Sequence, residues 1–93
     1  MIVTEFHNVE DVYAAARQIS SMLAEHRENE AATELEETMK TFWTTASEAV
    51  GEIKLSLLRV RPIVQKSLNN DTLQLLDSAV SGATKLFNGT NSG

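Results

Sequence analysis

The chain has 93 residues, of which 42% are hydrophobic, and it carries a formal net charge of −5 at pH 7 with no cysteine. One small domain of this length buries a modest core, roughly 60–65% of the surface of the unfolded chain. The composition excludes disulfides and thiolate metal sites, argues against a general nucleic-acid binder, and offers no stretch near the ~18 apolar residues of a membrane span.

The first predicted helix covers about residues 9–27. Asn8 precedes it with a side chain suited to an N-cap, and Asp11 places a negative charge near the positive end of the helix dipole. Apolar residues then recur every three or four positions, which indicates one buried face. The polar stretch EHRENE, which starts at Glu25, predicts a short connection between antiparallel helices.

One unbroken row of apolar residues predicts a single long central helix over about 30–61. The row advances by three or four positions at every step, close to the α-helical period of 3.6 residues. A turn near Trp43 would shift that phase, and no shift occurs. The weak helix formers nearby lie off the row, where their propensity costs reach only ~1 kcal/mol each. The row consists of Leu35, Met39, Phe42, Ala46, Ala49, Ile53, Leu57 and Val60.

Pro62 predicts the end of this helix or a kink, because proline lacks a backbone donor and clashes with the carbonyl four residues earlier. A short helix or kinked extension is expected over about 62–68. The stretch NND, Asn69 to Asp71, predicts a break and an N-cap. A last helix follows over about 72–87, and Gly89 suits its C-terminal cap. Its apolar row is Leu73, Leu76, Val80, Ala83 and Phe87.

These elements predict an all-α fold, a small helical bundle with one long central helix flanked by two antiparallel helices. The chain is expected to form one domain over 1–93, with flexible ends at 1–7 and 89–93. A helix over about 30–61 would measure ~48 Å, and each flanking helix would cover only half of it. The part that stays bare favours association.

The bare part of the long helix predicts a two-fold homodimer. Two antiparallel copies would cross at Ala46 and Ala49, whose small side chains let the backbones come close. Residues 1–48 carry ten acids and three bases, a net charge of −7, whereas residues 49–93 carry three acids and five bases, a net charge of +2. The crossing would bring the two charge types together. A monomeric bundle that folds back at residues 44–47 or at Pro62 is the alternative.

Signals for catalysis and metal binding are weak. His26 and Glu30 stand one helical turn apart, but the Glu-x-x-His repeat of helical carboxylate sites does not occur. No serine–histidine–acid pattern and no glycine-rich phosphate loop is present. We therefore predict no enzyme, no metal site and no cofactor.

The candidate contact residues lie on or beside the apolar row from position 42 onward, and just beyond its end. Phe42 is most simply a core residue, and Trp43, one step off the row, covers a helix seam or anchors an interface. The basic patch from Lys54 to Lys66 predicts helix capping, ion pairs with the acidic half or simple solubility, or else weak nucleic-acid binding. The candidates are Phe42, Trp43, Ala46, Ala49, Arg59 and Arg61.

The function predicted from these features is protein–protein interaction without catalysis, as an adaptor, a chaperone-like subunit, or an inhibitor or regulator. The partner is expected to be a second copy or another protein, with neither a membrane nor a nucleic acid as the main target. The N-terminus lacks the basic and apolar regions of a secretory signal, so a cytoplasmic location is expected.

The chain also resembles the WXG100 proteins of type VII secretion in its length, in its lack of cysteine, and in a central tryptophan, Trp43, followed by TTASEAV. In that family a Trp-x-Gly turn joins two long helices, and the proteins pair as helical-hairpin dimers. The resemblance implies a turn at Trp43-Thr44-Thr45 and a role as a secretion substrate. The glycine of the turn is missing here, and the family's C-terminal tyrosine motif has no counterpart, since Tyr13 is the only tyrosine.

Overall fold

Four α-helices account for nearly all of the chain that the structure describes. The structure is a computed structural model, and it describes the backbone of residues 6–91 and the side chains of residues 6–86. The predicted all-α fold class is confirmed, with no strand between residues 6 and 91. The helices are α1 (Val9–Glu25), α2 (Asn29–Lys40), α3 (Ala46–Ser67) and α4 (Asn70–Asn91).

The helices form an up-down-up-down bundle. Short connections at 26–28, 41–45 and 68–69 make each helix antiparallel to the next, and α4 packs back against α1. Helices α1 and α3 also touch across the diagonal, whereas α2 and α4 occupy opposite corners. The bundle measures 41 × 25 × 20 Å, shorter than the ~48 Å rod predicted for the central helix alone.

All four helices contribute buried apolar side chains to one core. Burial of each large aliphatic side chain stabilises the fold by about 1.5–3 kcal/mol relative to leaving it exposed. Among residues with described side chains, no buried side-chain nitrogen or oxygen atom lacks a hydrogen-bond partner. The largest fully buried apolar residues are Val12, Ile19, Leu23, Leu35, Val50, Ile53, Leu57, Val60, Val64 and Leu76.

The prediction of one continuous helix over about 30–61 is wrong. Helix α2 ends at Lys40, α3 begins at Ala46, and the chain reverses direction between them. The reversal lets the apolar faces of both helices share one core, whereas a rod would leave half of each face bare. Two members of the apolar row, Phe42 and Ala46, are exposed. The apolar residues on the two sides of the connection are therefore spaced as in one helix only by chance.

Local hydrogen bonds stabilise both ends of the break. Thr45 is the N-cap of α3, and its side-chain oxygen accepts a bond from the backbone N–H of Glu48 at 3.1 Å. The indole N–H of Trp43 donates to the carbonyl of Thr38 at 3.1 Å, one of the carbonyls left without a helical partner at the end of α2. Threonine followed three positions later by glutamate is a helix-start signal, and it is present in the sequence.

Helix α3 continues through Pro62 to Ser67, so an end of the helix at this proline is ruled out, and the helix covers nearly all of the extension expected over about 62–68. Pro62 is exposed, as is Leu58, whose carbonyl loses its helical donor to the proline ring. Water can bond to that carbonyl on the outer surface. Val60 and Val64 are both buried, so packing holds the helix on either side of the proline.

The last helix is longer than predicted at both ends. The N-cap predicted within Asn69–Asp71 is confirmed, and the structure assigns it to Asn69, whose side-chain oxygen accepts a bond from the backbone N–H of Thr72 at 2.8 Å. The helix runs on to Asn91, so Gly89 is not its C-terminal cap. Of the ends expected to be flexible, residues 1–5 and 92–93 lie outside the described part of the chain, as does the side chain of Phe87.

Candidate functional site

The connection between α2 and α3 holds an aromatic side chain out to solvent. Phe42 is 91% exposed, so its predicted place in the core is wrong. Thr41, just before it, caps α2 in an extended conformation and donates its hydroxyl to the carbonyl of Glu37 at 2.8 Å. Exposing a phenylalanine forgoes about 1.5–3 kcal/mol of burial energy, which marks this position as unusual for a closed bundle.

Trp43 lies half-buried beside this aromatic residue. Its indole N–H bond to Thr38 ties the connection to the last turn of α2. The sequence left open whether Trp43 covers a helix seam or anchors an interface, and in the structure its one polar atom is used within the chain. Phe42, rather than Trp43, is therefore the aromatic side chain of this connection that lies fully open to solvent.

A second exposed apolar feature lies on α3, facing away from the bundle. Leu55 is 48% exposed and Leu58 is 42% exposed, and Pro62 is exposed in line with them. These residues are three and four positions apart, so they share one side of the helix. Together with Phe42, the two leucines are the large apolar side chains exposed within residues 6–86.

Sequence reasoning missed these leucines, although a signal was present. They stand in the stretch KLSLLRV, in which Leu57 belongs to the buried row. Leu55 and Leu58 fall on the opposite side of a helix from that row. Apolar residues on the far side of an amphipathic helix indicate an additional contact.

The two arginines of the predicted basic patch form ion pairs within the bundle. Arg59 Nη2 lies 2.8 Å from Glu34 Oε2 on α2. Arg61 binds Asp77 on α4 in a bidentate manner, with Nε–Oδ1 at 2.8 Å and Nη2–Oδ2 at 3.0 Å. The Asp77 carboxylate raises the pKa of Arg61. Arg59 thus pairs with the acidic first half of the chain, whereas Arg61 pairs with an acid of its own half, and the two ion pairs join α3 to its neighbours on both sides.

Glu34 also takes part in a polar cluster between α2 and α3. Its Oε2 accepts a bond from the fully buried Ser56 at 2.9 Å, in addition to the bonds from Arg59. Thr38 donates to the Ser56 hydroxyl at 3.2 Å. The hydrogen bond from Arg59 is the main cause that lowers the pKa of Glu34, and the bond from Ser56 acts in the same direction. The cluster fixes the register of these two helices.

The predicted crossing point of a homodimer is not free in this fold. Ala49 is buried within its own chain, and only Ala46 is exposed. A second copy could not approach Ala49 without unpacking the start of α3. A homodimer therefore stays a prediction, but it needs a different surface.

The histidines bring no ligand cluster together. Nδ1 of His26 lies 2.9 Å from the carbonyl of Met22, one turn earlier. Within the described residues, no three histidine or acidic side chains are placed to hold a metal ion. Shallow depressions near the end of α2 are open to solvent, and they are lined by Glu37, Lys40 and Thr41 and by Arg17, Glu36, Met39 and Lys40.

Comparisons with protein-family models, with curated proteins and with solved structures found no match for this chain. None of the described helices is both long enough and apolar enough to cross a membrane. The surfaces of the bundle itself are therefore the basis for a functional proposal.

Proposed function

We propose that this protein is a non-enzymatic protein–protein interaction module and that Phe42 inserts into its partner protein. The observation that carries the proposal is the 91% exposure of this phenylalanine on a turn that connects two packed helices. Large aromatic side chains supply much of the energy of protein interfaces when a partner's pocket buries them.

The turn that carries Phe42 is held in one conformation by hydrogen bonds within the chain. The Thr45 cap and the Trp43–Thr38 hydrogen bond fix the connection on both sides of Phe42. A partner would therefore lose little free energy to ordering this segment. The depressions beside Lys40 and Thr41 give the partner room for further contacts next to the phenylalanine. An adaptor, a chaperone-like subunit, or an inhibitor or regulator would each use such a surface.

Site-specific crosslinking tests this proposal. A photo-reactive amino acid placed at Thr44, which is exposed two residues from Phe42, should capture a discrete partner in cells of the native host. The same probe in a Phe42→Ser background should lose at least about 90% of that product, because the loss of one hot-spot side chain of about 2 kcal/mol weakens binding roughly 30-fold.

Two controls define the outcome. The probe at Gln18, exposed on α1, should not capture the same protein, and Leu58→Gln should leave capture from Thr44 unchanged. Equal capture from Thr44 with and without Phe42 would overturn the proposal. Circular dichroism should show the same helix content in each variant, since neither Phe42 nor Leu58 belongs to the core.

A WXG100-like secretion substrate is a second candidate, because the chain reverses direction at Trp43, as that resemblance implies. The bundle has four helices where the family has two long ones, so the likeness rests on this turn. Export into the medium by a host with an intact type VII system, and not by one without it, would support this candidate. The nucleic-acid alternative has no comparable support, because Arg59 and Arg61 both bind carboxylates.

A further inference from the structure

We infer that the outer face of α3 is the contact between two copies of this chain, packed antiparallel about a two-fold axis. We define the outer face of α3 as the residues that follow one another at steps of three and four along its solvent side: Glu48, Gly51, Leu55, Leu58, Pro62 and Lys66. This surface is distinct from Phe42, and the inference goes beyond the interaction proposed for that residue.

The centre of the outer face is apolar. Leu55 and Leu58 are each nearly half exposed, although the buried row of the same helix already supplies its core contacts. With the axis between these two residues, Leu55 of each copy faces the partner's Leu58. Dimerisation then buries four leucine side chains, and each buried CH₂ group stabilises the dimer by about 0.8 kcal/mol.

The next positions outward are complementary in size. In an antiparallel pair of helices, residues that face each other have numbers with a constant sum. The sum for Gly51 and Pro62 equals that for Leu55 and Leu58, so the same axis places Gly51 opposite the partner's Pro62. Glycine leaves room where the rigid proline ring stands out from the helix. Pro62 is exposed and sits well inside a helix, where it weakens the backbone, so its placement is better explained by a contact than by folding.

The ends of the outer face are complementary in charge. Glu48 lies in the first turn of α3 and Lys66 in the last turn. They are 18 positions apart, or ~27 Å along the helix, so they cannot pair within one chain. Among residues 6–86, neither forms an ion pair with another element. The same axis places Glu48 opposite position 65 of the partner, one residue or ~1.5 Å along the helix from the partner's Lys66, whose long side chain can reach it. A parallel copy would oppose like charges.

Charge complementarity therefore selects a second copy, in this orientation, as the occupant of the face. A single pair of helices buries less than the ~800 Å² per partner of a standard interface. The dimer should accordingly be weak, with a dissociation constant on the order of 100 μM.

Sedimentation equilibrium up to about 1 mM chain should reveal the dimer, and mutation of the leucines should remove it. We expect Leu55→Gln and Leu58→Gln each to weaken dimerisation at least about 10-fold, because the dimer interface contains two copies of the changed residue. Both positions are exposed, and glutamine is a good helix former, so the monomer should stay folded.

Charge reversal tests the orientation. Glu48→Lys and Lys66→Glu should each weaken the dimer about 10-fold, because each creates two like-charge contacts. The double variant should return to within about 3-fold of the original constant, because both pairs are complementary again. In a parallel dimer, neither the losses nor the recovery would occur.

Matched controls separate these effects from changes in helix stability. Glu10→Lys makes the same change in the first turn of α1, and Lys40→Glu makes it in the last turn of α2. Both should cost similar stability through the helix dipole and leave the dimer unaffected.

A monomer at 1 mM, or no recovery in the double variant, would overturn the inference. Capture from Thr44 by the partner of Phe42 would be unchanged in either case, so the two proposals can fail separately.

Discussion

Arg27 adopts a backbone conformation that usually belongs to glycine. It follows α1 with φ of 62°, and its backbone N–H bonds to the carbonyl of Ala24 at 3.0 Å. The next N–H, that of Glu28, bonds to the carbonyl of Leu23 at 2.8 Å. This pair of bonds is the Schellman ending of a helix, in which glycine normally takes the left-handed position. Arginine occupies it at a cost of about 1 kcal/mol.

Arg27→Gly should therefore stabilise the protein by about 0.5–1 kcal/mol and raise the melting temperature by about 2–8 °C. Arg17→Gly, at an exposed position in the middle of α1, is the matched control and should lower stability by about 1 kcal/mol. Thermal unfolding followed by circular dichroism measures both. A loss of stability in Arg27→Gly would show that the arginine side chain makes a contact worth more than the backbone cost.

Glu34 makes stability depend on pH. Its pKa in the folded protein lies below the ordinary value of 4.5, chiefly because Arg59 donates hydrogen bonds to it. The folded state therefore holds this proton more weakly than the unfolded chain. The stabilisation is present above the ordinary value and is lost as the pH falls through the lowered pKa.

Glu34→Gln should remove this part of the acid sensitivity. Urea unfolding between about pH 7 and pH 2 should show the free energy of unfolding falling less steeply in the variant than in the original protein. Glu37→Gln, on the exposed side of the same helix, is the control and should keep the original slope. Parallel curves for Glu34→Gln and the original protein would contradict the assignment.

At the scale of whole elements, the start of α3 depends on one threonine. Thr45→Ala removes the side-chain acceptor for the N–H of Glu48 and should cost about 1 kcal/mol of stability. Thr44→Ala, at the preceding exposed position, should change stability by less than about 0.5 kcal/mol. Chemical denaturation gives both values, and equal effects at the two positions would mean that the cap does not stabilise the break.

Pro62 is the weak point in the interior of the same helix. Pro62→Ala restores a donor for the carbonyl of Leu58 and removes a steric clash, so stability should rise by about 1–3 kcal/mol. Gln65→Ala, also exposed on α3, should be nearly neutral. The measurement is denaturant unfolding at a few micromolar chain. A less stable Pro62→Ala variant would show that the bundle depends on a bend at this residue.

At the scale of the whole molecule, the N-terminal segment packs against the far end of the chain. A Cβ atom added to Gly82 on α4 would lie 2.6 Å from the ring of Phe6, and Phe6 packs against the core. Glycine at this helical position costs about 1 kcal/mol relative to alanine. The close approach of the phenylalanine is the reason that glycine fits here.

A double-mutant cycle tests this contact. Gly82→Ala should raise stability by about 1 kcal/mol in a Phe6→Ala background, where the ring is gone. In the original protein the same change should either leave stability unchanged or lower it, because the ring of Phe6 must move. The coupling free energy should thus exceed about 1 kcal/mol, and a value near zero would mean that Phe6 does not pack on Gly82 in solution.

Some local features followed from the sequence because they depend on neighbours in the chain. The helical period, the cap at Asn8, a cap within 69–71 and the polar connection after α1 were all predicted, and the structure contains them. The break at 41–45 was foreseen only in the alternatives, as a bundle that folds back at residues 44–47 or as the turn implied by the WXG100 resemblance, although Thr45 and Glu48 already had the spacing of a helix start. The unbroken apolar row was given more weight than that signal.

The sequence by itself determined that this chain is helical and where most of its helices begin, because hydrogen bonds within a few residues decide both. Only the tertiary structure decided that the middle of the chain folds back, that Phe42 points to solvent, and that the two arginines pair with carboxylates on neighbouring helices. Periodicity shows that a helix has an apolar face. The helix that packs against this face is the one that lets the chain bury the most apolar surface in one core. That choice depends on the whole chain.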